Sequence, residues 1–187
     1  LLMTHVGGQG SAIYLYRRLR PANEQWFVRY YVKFDPSCYS IHHLSPTVGG
    51  YNPSTPYPQG GAGIRPLGND RFNTQMESGP WRWDFYSYWM GMRHGPDKDP
   101  NGNFNYWGNN FFKGVTGLSI TRGQWICVEI MVKLNNPVTE SNGEMACWIN
   151  GNLIRYNGQI VSYLGKGFPK GSWLWGSWSP DPAGQPF

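Results

Sequence analysis

Gln25-Trp26-Phe27-Val28-Arg29-Tyr30-Tyr31-Val32-Lys33-Phe34 alternates with a period of two. One parity carries Trp26, Val28, Tyr30, Val32 and Phe34, and the other carries Gln25, Phe27, Arg29, Tyr31 and Lys33. Successive strand side chains point to opposite faces, so the stretch predicts a strand with one buried face and one cationic, aromatic face. The same period runs through Gln124 to Leu134, where Ile126, Val128, Ile130, Val132 and Leu134 oppose Trp125, Cys127, Glu129, Met131 and Lys133. From Arg82 to Met90, Trp83, Phe85, Ser87 and Trp89 oppose Asp84, Tyr86, Tyr88 and Met90. Glu144 to Asn150, the pair Asn150-Gly151 and Asn152 to Tyr156 predict a hairpin with a two-residue primed turn. A further strand is expected over Ser11 to Leu19.

No window carries a helical period, so the fold class is all-β. Strands with two dissimilar faces, separated by long Gly- and Pro-rich loops, predict two stacked antiparallel sheets of the sandwich or jelly-roll type. The run from Gly49 to Asp70 is too long for a simple turn and is expected to be a loop that either covers a site or is disordered. A chain of 187 residues suits one domain, residues 1–187. It opens on Leu1-Leu2-Met3 and stops at Pro186-Phe187 in mid-loop, which suggests a mature or truncated piece lacking terminal strands.

Aromatic residues make up 17% of the chain and charged residues only 14%, which again favours pleated strands over charged helices. The net charge of +5 points to an anionic partner. Its basic residues are scattered, with Arg17-Arg18 and Arg20 the one tight group, and there is no zinc-ligand spacing, RNA-binding signature or basic helix. Nucleic acid is therefore not expected, and an acidic glycan is. No stretch is long and apolar enough for a membrane span, so no membrane partner is expected. Cys38, Cys127 and Cys147 permit at most one bridge, with Cys127 and Cys147 weighed against buried free thiols.

Several motifs could carry chemistry. An aromatic between two cations, as in Arg29, Tyr31 and Lys33, suits a carboxylated sugar, because rings stack on pyranose faces while cations hold carboxylates; the bland alternative is a solvated sheet face. Tyr86 and Tyr88 share a face with Asp84 and are candidates for proton transfer, weighed against packing. Asp97-Lys98-Asp99-Pro100-Asn101-Gly102 matches the opening of a calcium loop through Asp97, Asp99 and Asn101, but Gly108 stands where the closing carboxylate belongs and a turn is favoured. His5, His42, His43 and His94 have no carboxylate at metal-ligand spacing, so no metal site is expected. Tyr39-Ser40-Ile41-His42-His43-Leu44 reads as a short strand, on which only one of the paired histidines can enter a groove. If Ile41 is core, His43 shares its face and His42 points into the groove.

The segments from Phe27 to Phe34, through His42-His43 to Gly49-Gly50-Tyr51 and on to Trp83-Asp84-Phe85-Tyr86-Ser87-Tyr88, resemble polysaccharide lyases of family 14 and their relatives. So do Thr121-Arg122-Gly123-Gln124-Trp125, Val128 to Asn135, and Asn142-Gly143-Glu144 to Gly151. The resemblance implies a concanavalin-like jelly roll whose concave sheet binds an acidic polysaccharide such as alginate or glucuronan and cleaves it by β-elimination. It also implies a secreted protein, extracellular or periplasmic. On this basis His42, Tyr86 and Tyr88 are candidate catalytic residues. Arg29, Tyr31, Lys33, His43, Arg71, Glu129 and Lys133 are candidate substrate-binding residues. No cofactor is expected beyond the weak calcium motif. The alternatives are a non-catalytic carbohydrate-binding module and an assembly protein that self-associates through an exposed sheet edge, with the Trp-rich run Ser172 to Trp178 read equally as a contact or as a last core strand.

Overall fold

The strand with the unbroken aliphatic face anchors the fold. Trp125–Lys133 buries Ile126, Val128, Ile130 and Val132 on one side, and the opening alternation, Gln25–Lys33, lies antiparallel beside it with Arg29 opposite Glu129 and Tyr31 opposite Cys127. A computed structural model of the chain describes residues 2, 4, 15, 25–39, 41, 43–51, 61–67, 70–112, 118–134, 143–156, 159–160 and 185–186. In chain order its strands are β1 (Gln25–Lys33), β2 (Thr47–Tyr51), β3 (Arg71–Glu77), β4 (Asp84–Tyr88), β5 (Trp125–Lys133) and β6 (Glu144–Ile149). Two-residue strands follow: β7 (Asn152–Leu153), β8 (Arg155–Tyr156), β9 (Gln159–Ile160) and β10 (Gln185–Pro186). The described residues contain no helix.

The chain forms an all-β antiparallel sandwich. One sheet has the order β1-β5-β6-β7, the other β10-β2-β3-β4, and β8-β9 is a separate ribbon. Every pairing is antiparallel. Between the sheets lies one core, with Trp83, Phe72, Phe85, Phe112, Met76, Leu118, Ile130 and Met145 fully buried. Burying each Phe, Met, Leu or Ile of this set contributes roughly 1.5–3 kcal/mol of transfer free energy. A small polar contact also lies there: Thr74 and Ser87 share a 2.6 Å hydroxyl hydrogen bond, and Thr74 Oγ1 reaches Met145 Sδ of the facing sheet at 3.7 Å.

The alternations of β1, β5 and β4 fall on the faces the sequence predicts. The primed turn forms as well, with φ of 51° at Asn150 and 79° at Gly151. The second arm of that hairpin is shorter than expected, since β7 ends at Leu153 and Arg155–Tyr156 pairs with β9 instead. Gly49 and Gly50 belong to β2 rather than to a loop. A Cβ on Gly49 would fall 2.5 Å from the Phe72 carbonyl oxygen, so only glycine allows β2 this approach to β3. Within the expected strand Tyr39–Leu44 the described residues Tyr39, Ile41, His43 and Leu44 are not in a strand, and His43 has φ of 61°, a left-handed conformation. All three cysteines are free thiols; Cys147 faces the core, where burial raises its thiol pKa, and Cys127 lies on the opposite face of its sheet. The expected strand over Ser11 to Leu19 and the run Ser172 to Trp178 lie outside the described residues, apart from Leu15.

Candidate active site

β3 supplies the backbone of the site. Phe72, Thr74 and Met76 turn inward, and Arg71, Asn73, Gln75 and Glu77 therefore face outward as a row. Register places Tyr88, Tyr86 and Asp84 of β4 directly beside Asn73, Gln75 and Glu77, and Tyr51, Gly49 and Thr47 of β2 beside Arg71, Asn73 and Gln75. Same-face neighbours on paired strands are within side-chain reach, so this face gathers amides, phenols and carboxyls in one patch.

His43 completes it. Ser78 Oγ donates to the Ile41 carbonyl at 2.9 Å and ties the preceding segment to the end of β3. The left-handed turn at His43 then brings its ring to 4.7 Å from that of Tyr86. His43 Nδ1 lies 3.3 Å from Gln75 Nε2 and 3.2 Å from Glu77 Oε1, while the side chain remains 43% exposed. A ring so placed is both held and open to solvent.

The tyrosines differ in environment. Their hydroxyls lie 3.3 Å apart. Tyr88 is buried, receives the Gly108 amide and has its pKa driven up by burial and by Tyr86. Tyr86 is half-buried. Gly108 lies against its ring, where a Cβ would fall 2.4 Å from Cε1. The segment carrying Gly108 is docked on the free side of β4: Asn109 exchanges backbone hydrogen bonds with Ser87, Asn110 donates to the Phe85 carbonyl, and Asp84 accepts from the Phe111 and Phe112 amides. Burial raises the Asp84 pKa against those hydrogen bonds. Burial and Asp84 together push Glu77 up to about 7.

Arg71 lies at the far end of the β3 row. Its Nη1 is 2.9 Å from Asp70 Oδ2 and its Nη2 donates to the Ile64 carbonyl at 2.7 Å, so it braces the 61–67 segment. That segment is bridged in turn to Tyr106 through Gly63.

Of the residues expected from sequence, Tyr86, Tyr88, His43 and Arg71 come together on this face. Arg29, Tyr31, Lys33, Glu129 and Lys133 do not: they lie on the outer face of the other sheet, across the core from His43. There Arg29 pairs with Glu129 at 2.5 Å and Lys133 with Glu144 at 2.9 Å. Alternation gives each strand an outward face but not which side of the sandwich that face looks toward. His42 lies outside the described residues; neither Ile41 nor His43 is in a strand and His43 is left-handed, so the alternation that would set His43 on the face of Ile41 does not apply to it. Asp97 accepts from Trp107 Nε1 and Asn105 Nδ2, and Asp99 accepts from the amides of Asn101 and Asn103, so both carboxylates hold a hairpin together. Among the described residues no His, Cys, Asp and Glu group could hold a metal ion. Asn73, Gln75 and Glu77 share this face and were missed from sequence; the polar-apolar alternation from Arg71 to Glu77 is the signal that reveals them.

The chain is similar in structure to alginate lyases. Alginate lyase Aly36B matches at 15% identity and a TM-score of 0.47, over 87% of this chain. Alginate lyase vAL-1 from Chlorella virus matches at 15% identity and a TM-score of 0.48, over 87% of this chain and 67% of its own. An Aly36B mutant in complex with an alginate trisaccharide matches at 16% identity and a TM-score of 0.47, over 88% of this chain and 67% of its own. The chain spans 57% of the length of Aly36B. No protein-family model and no curated protein sequence matches it.

Proposed function

We propose that the protein is a polysaccharide lyase, secreted, that cleaves a uronate-containing polymer by β-elimination on the outer face of the β2-β3-β4 sheet. The observation that carries this is the His43 ring set on Tyr86, with Gln75 at its Nδ1 and the Tyr86–Tyr88 hydroxyl pair beside it. Elimination next to a uronate needs three things: offset of the carboxylate charge, a base for the C5 proton and an acid for the departing O4. In this reading Asn73 and Gln75 donate to the carboxylate, His43 takes the proton and Tyr86 gives one. The C5–H electrons form the C4=C5 bond as the C4–O4 bond breaks, and the leaving oxygen takes the proton of Tyr86. Tyr88, buried and held by Gly108, orients Tyr86 rather than reacting itself.

Incubation with alginate, glucuronan and other uronate polymers, followed by ultraviolet absorbance of the unsaturated product, tests the assignment. Product that disappears in Tyr86→Phe is expected; silence across the panel would sink it. A binding module using the same face is favoured by one observation, that Arg71 is engaged by Asp70 and Ile64 instead of standing ready for a carboxylate. Glycan affinity without turnover would establish that second assignment.

A further inference from the structure

Glu77 closes the β3 row, and its Oε1 lies 3.2 Å from His43 Nδ1. The Gln75 amide approaches the same nitrogen at 3.3 Å, and the other end of that amide is 2.7 Å from Thr47 Oγ1. One ring nitrogen thus carries two protein partners. Glu77 is only 4% exposed, so this carboxyl is built into the sheet and is no surface charge. Among the described residues, titratable groups facing it on β4 are Asp84, its cross-strand neighbour, and Tyr86, whose ring touches His43. Arg82 acts on Asp84 in turn.

In a neutral imidazole one nitrogen donates and the other accepts, and the partner at the first decides what the second can do. A carboxylate at Nδ1 accepts its N–H and leaves the lone pair on Nε2. A protonated carboxyl there donates to Nδ1 instead and leaves Nε2 bearing hydrogen, with no lone pair for a base. Gln75 follows either state, because the Thr47 hydroxyl can donate or accept and the amide can turn either end to the ring.

We propose that Glu77 is a positioning residue that holds His43 as the Nδ1–H tautomer and so frees Nε2 to act as the base. This rests on the lyase assignment above for its catalytic consequence, but the tautomer itself does not. Since burial and Asp84 push Glu77 up to about 7, its ionisation places the onset of this arrangement near neutral pH.

Nitrogen-15 NMR of the full chain without substrate reads the tautomer directly, with the His43 ring signals assigned through His43→Gln. At about pH 8.5, where a carboxyl of this kind is ionised, the wild type should show hydrogen on Nδ1. An unconstrained imidazole favours Nε2, and the balance should move there in both Glu77→Leu and Glu77→Met, neither of which can accept from Nδ1–H; the second variant serves if the first does not fold. Hydrogen on Nε2 in the wild type, or an Nδ1–H form unchanged in both variants, would overturn the proposal. On a uronate polymer, Glu77→Leu should lower kcat by about tenfold or more with little change in KM. The expected tautomer in a wild-type protein that yields no unsaturated product would leave the positioning intact and remove the lyase assignment.

Discussion

The hydroxyls of Tyr86 and Tyr88 lie 3.3 Å apart on one face of β4, yet only Tyr88 is buried. Tyr86→Phe removes the accessible proton donor and should lower turnover by roughly 100-fold or more. Tyr88→Phe deprives the Gly108 amide of its acceptor and should cost about 1 kcal/mol of stability with a smaller loss of turnover. Steady-state kinetics and thermal melts on both variants check this; equal kinetic effects would contradict the division of roles.

Gly108 has no room for a side chain. A Cβ there would sit 2.4 Å from the Tyr86 ring, so Gly108→Ala must push that ring off its place against His43. With Tyr86 as the proton donor proposed above, turnover should fall about tenfold or more, since small displacements of a reacting group are costly. An alanine variant with undiminished turnover would show that the ring position is immaterial.

Glu77 gives a pH signature in stability. Its folded value of about 7 lies above the ordinary 4.5, so the fold favours the protonated form. That contribution is complete below about pH 4.5 and is lost as pH rises through about 7. Glu77→Gln abolishes the loss, and its stability advantage should grow across this window to at most about 3 kcal/mol. A protonated His43 beside the carboxylate works in the opposite direction and reduces the gain. Denaturant titrations at several pH values check it; a difference constant with pH would contradict it.

With the proposed elimination on the β2-β3-β4 face, Arg29→Ala and Lys33→Ala should leave turnover and uronate affinity unchanged within about twofold, because both side chains lie across the core from His43. Binding measured by calorimetry would detect a loss, which would place the polymer on the wrong sheet.

Thr74→Val leaves the Ser87 hydroxyl buried without its 2.6 Å partner and should cost about 1–3 kcal/mol. The site face should keep its geometry, so activity per folded molecule is expected to stay the same.

The period-two alternations of β1, β4 and β5 and the turn Asn150-Gly151 were decided by local sequence, because strand geometry sends neighbours to opposite faces and only a primed turn suits that hairpin. The same rule put Asp84, Tyr86 and Tyr88 on one face. It could equally have revealed the outward row Arg71, Asn73, Gln75 and Glu77. Local sequence could not decide which outward face holds the site: Arg29 and Gln75 both project from strands with one buried side, and only the stacking of the two sheets sets them apart. Nor could it place His43, whose left-handed turn breaks the alternation that a strand would impose and carries the ring to Tyr86. Strand periodicity is a property of the backbone, whereas the meeting of His43, Glu77 and Tyr86 comes from long-range pairing and one turn.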